Sequence, residues 1–236
     1  MENKKLPYTQ VIIGTGEPIE ECDLVEFRLL YEGELLSSGN KGKPRESHAI
    51  RRIFHPQLRR LWTVENNLRH LAMHSAGGHD ARKVTEQIRK MTEQERFDLG
   101  IKTLGERCPK EGGYRLVPLV TEDMALRCSL DILLLRPEEK KLIFESGDID
   151  GQLKTLFDAL RIPKNLSQTG GIGPQEDETP FFCFLEDDRL ITEVRVTTDK
   201  LLLLPEKKEI KPNDSFVVIH VKLNHRSART FDNYFG

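Results

Sequence analysis

Apolar and polar positions along the chain alternate between two periods. Leu24 to Leu36, L-V-E-F-R-L-L-Y-E-G-E-L-L, is rich in strand formers and partly alternates, which predicts a first long strand. Pro56 suits a helix start, and Leu58 to Met73 then reads as helix with Leu61, Trp62, Leu68 and Leu71 inward. Lys83 to Leu99 reads as a second, polar helix on Val84, Ile88, Met91 and Phe97. Tyr114 to Val120 and Ala125 to Leu135 read as strands, the latter apolar enough to be central and buried on both faces. Ile149, Leu153, Leu156, Phe157 and Leu160 follow helical spacing. Arg189 to Val196 alternates as a strand, and Ser215 to Leu223 reads as a last, internal one. Residues 37–44, 100–113 and 163–180 have loop composition, the last suiting a flexible loop or lid. Its G-G-I-G lacks the Lys-Ser/Thr of a phosphate loop.

Composition narrows the class. The 236 residues suffice for one large domain or two small ones, and 37% hydrophobic with 31% charged residues describes a folded, charge-rich chain. A formal net charge of −2 gives no global attraction to nucleic acid, so any such binding needs a local patch. Cys22, Cys108, Cys128 and Cys183 lack paired spacing. No signal peptide or membrane span is expected, which points to a cytoplasmic protein with reduced thiols.

Charge is distributed unevenly. Asp148 and Asp150 open the acidic helix, and Asp150, Lys154 and Asp158 recur every fourth residue away from its apolar face. A second pair, Asp187 and Asp188, precedes the alternating strand. Convergence of these pairs would create a self-repelling cluster that a hard divalent cation, Mg2+ or Mn2+, would stabilise. Shared coordination requires oxygens about 2.0–2.6 Å from one ion, so a separation beyond about 10 Å excludes it. The competing reading is that the first pair caps a helix and the second makes a turn. From Lys41 to Arg60 the chain carries Lys41, Lys43, Arg45, Arg51, Arg52, Arg59 and Arg60 against Glu46 alone. That run reads either as a phosphate-binding arm or as a solvated face. His70 and His74 have a spacing that could hold a metal with His79, although surface or packing histidines are the default.

D-I-D-G-Q-L-K-T-L-F-D-A-L followed by L-E-D-D-R-L-I-T-E-V-R-V resembles the RusA-type Holliday-junction resolvase pattern, over roughly a quarter of the chain. Gly151 stands where that family has Asn, and residues 163–180 are longer than the family's connection. The resemblance implies an α+β fold, a mixed β-sheet with helices packed on it. It implies one domain over 1–236, with an N-terminal arm at about 1–23, a helical insertion at about 64–113 and the 163–180 loop. It also implies a homodimeric, metal-dependent endonuclease acting on branched DNA, with no membrane partner. Asp148, Asp150 and Asp188 would then be catalytic metal ligands, assisted by Asp187 and Lys154, and the basic run would hold the DNA backbone. The alternatives are a non-catalytic nucleic-acid-binding module on the same fold, or an interaction protein whose acids only cap elements.

Overall fold

The computed structural model describes residues 11–12, 18–19, 25–37, 43–77, 86–108, 113–137, 149–202 and 213–225. The strands are β1 (Val11–Ile12), β2 (Pro18–Ile19), β3 (Glu26–Glu34), β4 (Leu116–Val120), β5 (Leu126–Arg136), β6 (Phe181–Leu185), β7 (Ile191–Lys200) and β8 (Asp214–His225). The helices are α1 (Lys43–Val64), α2 (Asn66–Ser75), α3 (Glu86–Lys90), α4 (Glu93–Arg107) and α5 (Ile149–Leu160). The architecture is α+β. A four-stranded mixed sheet runs β3-β8-β5-β7, with β5 antiparallel to β8 and parallel to β7. A separate parallel pair joins β4 to β6, and both strands are buried throughout.

The main sheet is one-sided. Leu29, Tyr31, Leu130, Ile132, Leu134, Val217, Ile219 and Val221 turn inward. Ser129, Asp131 and Leu133 keep solvent contact on the other face. β5 is interior in the strand order, but it is not buried on both faces as its composition suggests. Alternation decides this, because an antiparallel neighbour leaves one face free to meet water.

The first helix also differs from expectation. It begins at Lys43, and Pro56 lies inside it. An interior proline costs about 3 kcal/mol. The helix persists because Ile50, Phe54, Leu58 and Trp62 are all at most 1% exposed, and burying each contributes about 1.5–3 kcal/mol. α4 starts at Thr92, which forms a reciprocal capping box with Glu95. Gly100 of α4 sits so close to α2 that a Cβ there would collide with the Ala72 carbonyl, so glycine sets that helix–helix approach.

Residues 163–180 are not a free lid. They contain two short 3-10 turns, and Thr169 and Glu178 are buried. Arg52 pairs with Glu178, and the Tyr114 hydroxyl donates to the Ile172 carbonyl. No helix among the described residues is long and apolar enough to cross a membrane.

Candidate functional site

Asp150 and Lys154 are exposed on the outer face of α5, one turn apart, as their spacing predicts. Asp158, one turn further, is engaged by Lys43 at 2.5 Å and Arg161 at 2.6 Å. Asp148 lies outside the described residues. At the second acid pair, Asp187 caps a 3-10 turn through the Arg189 backbone N–H and pairs with Lys164 at 3.1 Å. Partial burial opposes ionisation of Asp187, but that N–H and the Lys164 ammonium hold its pKa below the usual value. Asp188 is exposed.

The two acid groups stand at opposite ends of the sheet. Gln152, beside Asp150, accepts from Arg136 at the end of β5. Ile191, just after Asp188, pairs with Cys128 near the start of β5. The eight residue steps between Cys128 and Arg136 correspond to roughly 26 Å of strand. Asp150 and Asp188 therefore do not ligate one ion within a single protomer. Chain direction explains the separation: α5 runs back along the sheet, and its far end lies beside Leu185, the last residue of β6, which leads into the second acid pair. Among the described residues no group of three or more His, Cys, Asp or Glu side chains could hold a metal.

The basic run divides in two. The side chains of Arg45, Arg59 and Arg60 are exposed and form no ion pair or hydrogen bond among the described residues. Arg52 and Lys43 neutralise Glu178 and Asp158. Lys41 lies outside the described residues. Arg51, expected on a DNA-binding arm, is 3% exposed. Its Nε donates to the Arg161 carbonyl at 2.9 Å and its Nη2 to the Asp158 carbonyl at 2.6 Å. It caps the C-terminal end of α5, where the last carbonyls lack helical partners and the dipole is negative. The signal for this was helical spacing: Arg51, His55, Leu58 and Trp62 fall on one buried stripe.

That stripe continues into a buried polar seam. Arg51 Nη1 stands 3.2 Å from His48 Nδ1, and His48 Nε2 stands 3.0 Å from the Tyr114 hydroxyl. A guanidinium only donates, so Nδ1 accepts and Nε2–H donates to Tyr114. The His55 ring stacks on Phe181 at 4.6 Å, and its Nδ1 accepts the Phe182 N–H. Burial, aided by Arg51, pushes the His48 imidazole down to about 4. Burial shifts His55 the same way. Once unfolded, both take up a proton near the ordinary value of about 6.5. Below that pH the unfolded chain binds more protons than the folded one, so stability falls as pH falls from about 6.5 to 4. His48 alone accounts for on the order of 3 kcal/mol across that window. Thermal melts should show a flat plateau above pH 7 and a steady drop below 6.5. A melting temperature unchanged between pH 7 and 5 would contradict the neutral seam.

Strand alternation brings together one cleft that sequence motifs did not indicate. On the open face of the sheet, Ser129, Asp131, Glu193, Arg195, His220 and Lys222 line a cavity of about 340 Å3. Glu26 meets His220 at 3.0 Å and Lys222 at 3.1 Å. The arrangement is a chequerboard of opposite charges across neighbouring strands. Cys108, Cys128 and Cys183 are free, and burial raises their thiols to about 11, 12 and 12, which makes them poor nucleophiles. His70 and His74 are exposed on α2, and His79 lies outside the described residues.

Fold and site together define a mixed α+β protein with two solvent-facing acid groups held apart by one sheet. No protein-family model, no curated protein and no solved structure matches the chain.

Proposed function

We propose that this chain is an endonuclease of the RusA kind that cuts phosphodiesters in branched DNA, as a cytoplasmic homodimer whose site is shared between protomers. The observation that carries this reading is the exposure of Asp150, Lys154 and Asp188, the motif residues, with no ion pair among the described residues; their separation along one sheet requires that the site be shared. Residues that only capped elements would not need to reproduce the acid and lysine spacing of a nuclease motif at both ends. A second copy related by a two-fold axis can bring the Asp150 end of one chain to the Asp188 end of the other. A bound Mg2+ or Mn2+ ion would activate water and neutralise developing charge, although the described carboxylates of one protomer do not make its ligand set. Lys154 would hold a phosphate oxygen or relieve carboxylate repulsion, and Arg45, Arg59 and Arg60 would contact the flanking backbone without reading sequence.

Complementation tests the shared site. Asp150→Asn and Asp188→Asn should each lower nicking of a branched duplex at least about a hundred-fold. When the two variants are co-expressed, about half of the dimers are mixed, and each mixed dimer holds one site free of substitutions. Nicking should therefore return to about a quarter of the wild-type rate. No recovery in the mixture means that the acids do not act across protomers.

The absence of an assembled carboxylate cluster within the described residues favours a second reading, with DNA contacts left to Arg45, Arg59 and Arg60 because Lys43, Arg51 and Arg52 are paired internally. In that reading the chain binds nucleic acid without cutting it. Salt-dependent DNA binding with no cleavage in Mg2+ or Mn2+ would support it.

A further inference from the structure

The outer edge of β7 pairs with nothing among the described residues, since β7 ends the order β3-β8-β5-β7. Eight of its ten residues are exposed, including Val194 at 42%. An edge of this kind templates pairing with another strand unless charges prevent it. The charges on β7 have an order that bears on which partner can pair. From Asp188 to Lys200 the chain reads D-R-L-I-T-E-V-R-V-T-T-D-K. About Val194, each acid sits at the same distance as a base on the other side. Read in the opposite direction, the charge pattern is its own complement.

We infer that the β7 edge is a homodimer interface in which two copies pair antiparallel about a two-fold axis through Val194. In that register Glu193 lies opposite the partner's Arg195, and Arg195 opposite the partner's Glu193. Neither side chain forms an ion pair among the described residues of its own chain. Val194 meets the partner's Val194 on the other face. The turn Asp188–Leu190 precedes the strand, so Asp188 and Arg189 are brought near the partner's Asp199 and the partner's Lys200 without joining the ladder.

Neighbouring registers fail. Directly opposed residues in an antiparallel pair share a face, so a two-fold axis normal to the sheet can move only from one residue to the next. Centring it on Glu193 or Arg195 opposes each to itself. A centre at Val196 places Glu193 against the partner's Asp199. Opposite charges across a strand pair attract and like charges repel, so the Val194 register is favoured over these neighbours. A centre at Thr197 would oppose Arg195 to the partner's Asp199 and leave Glu193 without a charged partner, so a dimer that survives Glu193→Arg but not Arg195→Glu would mark that register instead. At Thr192 a bulge shifts the ladder to β5, and the hydroxyl of Thr192 donates to the Cys128 carbonyl. Regular pairing in the dimer therefore centres on residues 193–195. Charges that served only to blunt the edge against its own copies would clash in every register, and these do not.

The interface follows from the strand edge and its charges and does not depend on the nuclease reading, but it has a consequence for that reading. Lys200 pairs with Arg136, and Arg136 contacts Gln152 near the start of α5. With the two β7 strands antiparallel, the start of one lies beside the end of the other, which places Asp188 at the same end of the combined eight-stranded sheet as the partner's Asp150.

Sedimentation equilibrium on the whole chain tests the interface, with mass as the readout rather than cleavage. Wild type should approach twice the 27.2 kDa of one chain. Glu193→Arg and Arg195→Glu should each shift the mass toward one chain, since both oppose like charges. The double variant E193R/R195E should restore the dimer. Both positions are exposed, and circular dichroism melts would verify that the variants stay folded. A monomeric wild type, dimers that survive either single reversal, or failure of the double variant to recover would each overturn the inference. Intact dimers without nicking would remove the nuclease reading and leave the interface standing.

Discussion

Arg51→Ala is expected to lower the stability of the fold by about 3–5 kcal/mol, although arginine is usually a surface residue. The guanidinium is 3% exposed and makes two charge-assisted bonds to the carbonyls of Asp158 and Arg161. Bonds of that kind contribute about 1.5–3 kcal/mol each. Removing them leaves the C-terminal end of α5 without its donor and His48 Nδ1 without its partner. Lysine would keep the charge but not the planar fork that reaches both carbonyls, so Arg51→Lys should recover only part of the loss. Arg59→Ala and Arg60→Ala, both exposed, should fall within about 0.5 kcal/mol of wild type. Under the proposed function those two variants weaken DNA binding and flatten its salt dependence. Denaturant titrations separate the two groups. An Arg51→Ala variant as stable as wild type would show that the guanidinium does not hold α1 to α5.

Trp62→Ala should cost a similar amount, about 3–5 kcal/mol. Trp62 is fully buried on α1 and belongs to the main core. The indole Nε1 finds no hydrogen-bond partner among the described residues, and a buried orphan donor costs about 1–3 kcal/mol. Trp62→Phe removes that donor and leaves a smaller hole, so it should be much less damaging than alanine. A loss for Trp62→Phe as large as that for alanine would mean that the size of the hole does not set the cost at this site. Trp62 is the single tryptophan, so its fluorescence reports unfolding of α1 directly in wild type and in Arg51→Ala.

Much of the fold was legible in the residues. Glu26–Glu34, Leu116–Val120, Leu126–Arg136 and Asp214–His225 fall where strand formers and alternation place them. The helix Ile149–Leu160 follows its apolar spacing. Arg51 and Pro56 were harder to read. The charge of Arg51 suggests a solvent-facing side chain, and the ring of Pro56 suggests the opening of a helix. Both give way to a stripe of buried neighbours whose combined burial outweighs a missing N–H and the desolvation of one cation.

The sequence by itself determined which side chains face outward on α5, that two acid pairs flank α5 and β7, and that β7 carries charges in mirrored order. These are properties of spacing along one element, and local periodicity is enough to set them. Only the tertiary structure decided that the acid pairs stand at opposite ends of the sheet, that Arg51 caps α5 rather than meeting solvent, and that β7 occupies an edge. Strand order and chain direction create those relations between segments far apart in the chain. No pattern within a single segment encodes the direction in which its neighbour runs.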